Sequence, residues 1–440
     1  MKVLKFGGTS VGSVENICNV KNIINDGTKK IVVLSAMSGT TNALVAISNN
    51  ISNNMPNEAI DKINKLHEAY FNTVENLLVD VSLCADAKNY ITEIVNLLVE
   101  CSYSEYSLNL ENKIVAQGEL LSTYIFNLYL KQEGIASTIL PALHFMRIDK
   151  HKEPDLFYIK QDLKAIMDDA PDVSIYITQG FICLNDAGQI ANLQRGGSDY
   201  TATIIGAVIK AEEVEIWTDI DGMHNNDPRY VENTKPISNL SFDEAAELAY
   251  FGAKILHPQT VTPVRADNIP VRLKNTMNPE AFGTLINNSH TENGVKAVAA
   301  KDNITAIKIK SGRMLLAHGF LRKVFEIFEV YETAIDMITT SEVAISLTID
   351  DDSNLEKIIS ELEKFSIVEV DQNQSIVCLV GHAIVNHQET YKLFQILQDV
   401  KIRMISYGGS NNNISLLVNT QDKIKTLGKL NDYLFELVTL

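Results

Sequence analysis

Basic residues are scarce in this 440-residue chain: 38 Lys and Arg stand against 55 Asp and Glu, a net charge of −17. Nucleic acid and anionic membranes both call for a basic face, so neither is expected as a partner. ATP is not excluded, because a nucleotide site needs only a few local cations. Cysteine is sparse too. Cys18, Cys84, Cys101, Cys183 and Cys378 are odd in number, scattered and never spaced C-x-x-C. That pattern argues against a disulfide framework or a protein-held metal site, and for reduced thiols. No run of about 18 apolar residues occurs. No basic-then-apolar leader precedes MKVLKFGGTS, and a cytoplasmic protein is expected. Two kinase signatures are also missing. Without G-x-x-x-x-G-K-[ST] the chain is not a P-loop enzyme, and without a catalytic-loop and D-F-G set it is not a protein kinase.

What is present suits a soluble protein of two or three domains, with 45% hydrophobic and 21% charged residues. Through about residue 294, strand and helix patterns alternate. KVLKF reads as a strand, followed by a helix with Val14, Ile17, Val20 and Ile24 on one face. IVVLSAM reads as a buried strand and SGTTN as the loop after it. A mostly helical stretch runs from Glu58 to Gly134, a natural helix stop. IASTIL, VSIYITQGFI and VEIWTDIDG read as strands, and DYTATIIGAVIKAEE as an amphipathic helix. Ser241 and Glu244 have capping-box spacing before FDEAAELAYFGAK. This alternation predicts an α/β domain, a mainly parallel sheet between two helical layers. The polar segment NNSHTENG (Asn287 to Gly294) marks a boundary. Beyond it lie two shorter α+β units, 311–374 and 375–440, forming a weak repeat of about 60–70 residues. The strand NITAIKIK (303–310) fits either unit.

Three segments suit phosphoryl chemistry. In Lys5-Phe6-Gly7-Gly8-Thr9-Ser10, two glycines let backbone N–H groups approach phosphate oxygens, and Lys5 adds a charge. The ordinary alternative is a tight turn capped by Ser10 or Ser13. Arg195-Gly196-Gly197-Ser198-Asp199 is a second such turn, with an arginine able to grip a carboxylate. There Ser198 or Asp199 could equally be a plain helix cap. Two Gly-Gly turns, each beside a cation and opening a helix, carry more weight than either alone. The third, WTDIDG (Trp217 to Gly222) with NDPR (Asn226 to Arg229), follows a strand, where α/β folds place ligands. By itself it reads as an Asp-Gly turn and an Asp-Pro turn on the surface. Glu119 is either a favourable first-turn charge or a partner for an ammonium group.

Together KFGGTS, GELLS (Gly118 to Ser122), RGGSDYTA (Arg195 to Ala202), WTDIDG with DPR, and FGAKILHP (Phe251 to Pro258) resemble the aspartate kinases of the amino-acid kinase superfamily. The resemblance extends over nearly the whole chain and is to the monofunctional, lysine-sensitive aspartokinase III type. It implies a three-layer αβα kinase fold over 1–294, followed by two ferredoxin-like ACT modules, the second (375–440) completed by the strand 303–310. It implies ATP with Mg2+ and L-aspartate as reactants, 4-phospho-L-aspartate as product, and an amino acid, lysine, as effector. A homodimer or dimer of dimers follows from the same resemblance. Lys5 and Asp199 would be catalytic, Asp199 orienting Lys5. Ser35, Thr41, Glu119, Arg195 and Ser198 would hold aspartate, Glu119 at its ammonium and Arg195 at its α-carboxylate. Lys5, Gly7, Gly8, Thr9, Ser10, Thr218, Asp219, His224, Arg229 and Lys254 would hold ATP. Met314, Gly319, Phe320, Leu321, Asp336, Ser341 and Glu342 would bind the effector. Two positions depart from the family pattern: His224 replaces a tyrosine, and Ala317 a serine. Without the resemblance, the effector segment reads as a glycine-broken helix start and a core strand.

Overall fold

The computed structural model describes residues 1–193, 196–252, 256–289, 293–311, 318–386 and 392–436. Two compact units form, Met1–Met223 with Leu256–Asn288, and His224–Ile255 with Ser289–Leu440.

The first unit opens with β1 (Lys2–Phe6), α1 (Val14–Ile24) and β2 (Lys30–Leu34), then α2 (Thr40–Ser52), α3 (Pro56–Leu77), α4 (Val81–Ser102), α5 (Leu108–Val115) and α6 (Gln117–Gln132). It continues through β3 (Ser137–Leu140), α7 (Ala142–Phe145), α8 (Leu156–Asp168), β4 (Ile175–Gln179), the hairpin β5 (Ile182–Leu184) and β6 (Ile190–Asn192), α9 (Gly197–Ile209) and β7 (Val214–Thr218). Residues of the second unit then contribute β8 (Asn239–Ser241) and α10 (Phe242–Tyr250). The first unit resumes with α11 (Thr262–Arg265), β9 (Val271–Asn275) and β10 (Thr284–Asn287).

Its strands lie in the order β3-β4-β2-β1-β7-β9-β10. All neighbours are parallel except β9 and β10. Every residue of β2 and of β4 is buried, which is why both read as near-continuous apolar runs. Each fully buried Val, Ile or Leu there contributes roughly 1.5–3 kcal/mol, so a charge placed at Val33 would break this layer. The sheet order reverses direction around β1, with β2 on one side and β7 on the other. The crevice beyond the carboxyl ends of those strands is where such sheets bind ligands. Gly134, at φ 71, follows the end of α6 as expected. Two local readings change. Thr40 and Thr41 are not loop residues but open α2 behind a left-handed Gly39. VSIYITQGFI is not one strand, because Gly180 and Phe181 (φ 68) turn the chain between β4 and β5.

The second unit adds β11 (Gly294–Lys310), α12 (Phe320–Val330), β12 (Ile338–Thr340), β13 (Ala344–Ile349), α13 (Leu355–Glu363), β14 (Ile367–His382), α14 (Lys392–Ile396), β15 (Ile402–Tyr407), β16 (Asn413–Asn419) and α15 (Lys423–Asn431). One antiparallel sheet, β12-β13-β11-β14-β16-β15, carries two separate apolar cores. One gathers Ile307, Val324, Phe328, Leu347 and Leu362, the other Val298, Val377, Leu416, Leu427 and Leu430. The long strands β11 and β14 serve both. Gly294–Lys301 pairs with Ile376–His382, whereas Thr305–Lys310 pairs with Ala344–Ile349 of β13. Residues 303–310 therefore run in the ladder of the first core. A register shift between Lys301 and Ile304, with Asn303 at φ 62, makes the change.

Residues 224–255 pack with this unit although they lie within the expected kinase segment. The predicted capping box is present: Ser241 Oγ accepts from Glu244 N at 3.2 Å, and Glu244 Oε2 accepts from Ser241 N at 2.7 Å. The same buried Glu244 pairs with Lys296 at 2.9 Å. Asn226 Nδ2 donates to Leu427 O at 3.2 Å, and Asn413 Nδ2 to Glu247 Oε2 at 2.5 Å. These partners are 52 to 201 residues apart in sequence, so no local pattern announces them.

Candidate active site

The last residues of β1 and the turn after it form one corner. Gly7 N donates to Trp217 O at 3.3 Å and Ser35 N to Phe6 O at 3.1 Å, extending the ladder past the strand ends. Lys5 Nζ lies 2.6 Å from Asp199 Oδ1, with both side chains largely buried. The contact is a close, largely buried ion pair. Gly7 brings the backbone beside this pair, with Lys5 Nζ only 3.5 Å from where a Cβ would sit. Gly8 has an ordinary helical φ and is needed for space instead. A Cβ there would meet Ala36 O at 2.9 Å. Ser13, not Ser10, caps α1, accepting from Asn16 N at 3.2 Å. Ser10 turns inward, sharing a 2.7 Å hydrogen bond with Thr276 Oγ1, while Thr9 is exposed.

The second Gly-Gly turn opens α9 behind a left-handed Gly196 (φ 80), and no side chain caps the helix. Neither Ser198 nor Asp199 is therefore a plain cap, and the first-turn N–H groups remain available to an anion. Arg195 lies outside the described residues.

Opposite Gly8, the loop after β2 is clamped to the first turn of α6. Ala36 N donates to Glu119 Oε1 at 3.3 Å, and Ser122 Oγ donates to Ser35 O at 2.9 Å. Gly118 allows the approach, since a Cβ there would stand 2.8 Å from Ala36 Cβ. Glu119 is buried, and burial raises its carboxyl to about 7, against the opposing pull of the Ala36 N–H. Its Oε2 is buried with no hydrogen-bond partner, an arrangement that an ammonium group would complete. Thr41 is half-buried in the first turn of α2. Thr218 ends β7, its Oγ1 3.1 Å from Oδ1 of the exposed Asp219.

Lys5, Gly7, Gly8, Ser35, Glu119, Asp199 and Thr218 thus gather at one edge of one sheet, with Ala36 as a wall shared by the Gly7–Gly8 corner and the Glu119 carboxylate. His224 and Arg229 belong to the second unit. His224 Nδ1 is 2.9 Å from Thr234 Oγ1, and Arg229 is paired with Asp227 at 2.6 Å inside its own turn. Lys254, Met314 and Ala317 lie outside the described residues. Gly319 (φ 87) precedes α12, whose first residues are Phe320, edge-on to Phe365, and the exposed Leu321. Ser341 accepts from Ala344 N at 3.2 Å, Glu342 is exposed, and Asp336 is buried against Lys301.

Sequence reasoning missed the supports. Gln179, at the end of β4, donates to Thr123 Oγ1 and accepts from Ala142 N, both at 2.8 Å, and Thr123 in turn donates to Glu119 O at 2.8 Å. Ser122 stood inside the quoted GELLS motif. Gln179 stands at a strand end, which is the only signal that could have found it.

The amino acid kinase family model matches residues 1–275, and the ACT domain model matches residues 377–434. Chloroplastic aspartokinase 1 of Arabidopsis thaliana is 36% identical over 99% of this chain and 80% of its own. Lysine-sensitive aspartokinase 3 of Escherichia coli is 34% identical over 99% of both chains. The crystal structure of E. coli aspartokinase III with aspartate and ADP superposes with a TM-score of 0.85 at 34% identity, covering 99% of this chain and 100% of that one. Its complex with lysine and aspartate gives 0.82, at 34% identity and 99% coverage of each.

Proposed function

Since the chain belongs to the amino acid kinase family, among its aspartokinases, we infer the following reaction at the crevice beyond β1, β2 and β7. The γ-phosphoryl group of ATP passes to the side-chain carboxylate of L-aspartate, and an amino acid bound at the ACT modules regulates the step. The observation that carries the assignment of the site is the Lys5–Asp199 pair beside a buried Glu119 with one unpartnered oxygen.

The chemistry follows from charge. The nucleophile is ionised at neutral pH, because an aspartate side chain has a pKa near 4, so no general base is required. The obstacle is repulsion between a carboxylate and a polyphosphate, and catalysis is positioning plus neutralisation. ATP enters as its magnesium complex. Lys5, oriented by Asp199, sets its positive charge where the γ-phosphoryl oxygens accumulate negative charge, with the N–H groups beside Gly7 and Gly8 along the phosphate path. Glu119 takes the substrate ammonium and Arg195 its α-carboxylate, which aims the β-carboxylate in line. Ser35, Thr41 and Ser198 complete the amino-acid pocket. Thr218, Asp219, His224, Arg229 and Lys254 form the nucleotide side. The effector is lysine, at Met314, Gly319, Phe320, Leu321, Asp336, Ser341 and Glu342. The protein is a cytoplasmic homodimer or dimer of dimers.

Hydroxylamine trapping tests the reaction, because an acyl phosphate is converted to a hydroxamate. With ATP, hydroxamate and ADP are expected to form with aspartate and not with glutamate or without an amino acid. ADP release independent of aspartate would overturn the assignment.

A further inference from the structure

Asp336 lies two residues before β12, with its main-chain N–H donated to Thr348 O at 2.9 Å and only 1% of its side chain exposed. A carboxylate at that depth requires compensation. The chain supplies it from two other elements. Lys301, at the register shift of β11, places Nζ 2.7 Å from Asp336 Oδ1 and 2.8 Å from Asp350 Oδ2. Tyr250, the last residue of α10, donates its hydroxyl to the same Oδ1 at 2.6 Å, and its ring centroid lies 4.3 Å from the Lys301 ammonium. The other oxygen, Asp336 Oδ2, is buried with no hydrogen-bond partner.

The cover over Asp336 is therefore thin. Tyr250 is 41% exposed, and the Lys301 side chain, although mostly buried, still reaches solvent. Lys301 has somewhere to go, because Asp350 is a second, more exposed carboxylate already in contact with it. The unpartnered Oδ2 offers an entering N–H group a second hydrogen-bond position once the cover opens.

We propose that Lys301 and Tyr250 form a displaceable plug over Asp336. The ammonium group of an amino-acid effector takes the carboxylate that Lys301 now neutralises, and this frees Tyr250 and the C-terminal end of α10. The proposal rests on Asp336 belonging to the effector site. It adds that the resident cation competes with the ligand, and that the tyrosine transmits the exchange to the 224–255 segment. A ligand shifts an equilibrium only by its differential affinity for the two states, and here the difference is the contact with Asp336.

The test uses the full chain, calorimetric titration with L-lysine, and inhibition curves. K301M leaves Asp336 without a cation until ligand arrives, so Kd for lysine should fall at least tenfold. Y250F removes one competing hydrogen bond without changing shape. It should bind lysine at least as tightly as the native chain but show weaker inhibition at saturation. D336N, checked for folding by its melting curve, separates the two claims. If D336N binds lysine normally, Asp336 is not an effector residue and the plug falls with it. If D336N abolishes binding while K301M and Y250F keep the native Kd and the native inhibition, the site stands and the plug is overturned. Should neither the native chain nor K301M bind lysine, the proposal is overturned as well.

Discussion

Replacing Glu119 by glutamine tests the core of the site with one atom. Glutamine keeps an oxygen for the Ala36 N–H, so the local shape survives while the charge is removed. In the ligand-free protein, burial raises the carboxyl from 4.5 to about 7. A carboxyl with a raised folded-state pKa costs nothing below its ordinary value. The cost of ionising it grows as pH rises from 4.5 toward 7 and is constant above that. At about 1.4 kcal/mol per pH unit, the penalty near pH 8 is roughly 3 kcal/mol. Glu119→Gln should therefore stabilise the ligand-free kinase unit by that order near pH 8, and by almost nothing near pH 4.5. The chain's single tryptophan, Trp217, is buried in β7 of this unit, so denaturant titration followed by its fluorescence reports the right transition. Substrate binding should move oppositely. Losing a charge-assisted contact to the ammonium costs about 1.5–3 kcal/mol, which raises KM for aspartate roughly 10- to 150-fold. In the native enzyme that KM should also rise by up to about tenfold per pH unit below 7, because the ammonium must compete with a proton, and in the variant this dependence should vanish. Equal stability of the two proteins near pH 8, together with an unchanged KM, would refute both the buried charge and its role.

Lys5→Ala should lower kcat on the order of 10²–10³-fold with an intact fold, as expected for one electrostatic donor at a developing charge; near-native turnover of the purified variant refutes the assignment. Arg195→Ala should chiefly raise KM for aspartate, and an effect confined to ATP would mean the wrong ligand had been assigned. Ser122→Ala removes the 2.9 Å hydrogen bond to Ser35 O. At about 1 kcal/mol that should raise KM for aspartate around fivefold, leave KM for ATP unchanged, and be largely restored by Ser122→Thr.

Much of this was legible because the relevant residues are contiguous. Lys5-Phe6-Gly7-Gly8 carries strand end, cation and glycine turn in four positions, and the capping box at Ser241 and Glu244 spans one helical turn. Short-range sterics and hydrogen bonding decide such features, so the primary structure determines them outright. The alternation of buried strands with amphipathic helices likewise determined the α/β class. Tertiary structure decided whatever depends on partners far apart in the chain. It removed the cap reading at Ser198 and Asp199 by placing Gly196 as the N-cap and Lys5 against Asp199. It made Glu119 a high-pKa carboxyl by burying it under Ala36, an environment no neighbouring residue specifies. It drew residues 224–255 into the second unit through Glu244–Lys296 and Tyr250–Asp336. Burial and long-range pairing are properties of the folded density around a side chain, and they come into existence only when the distant segments meet.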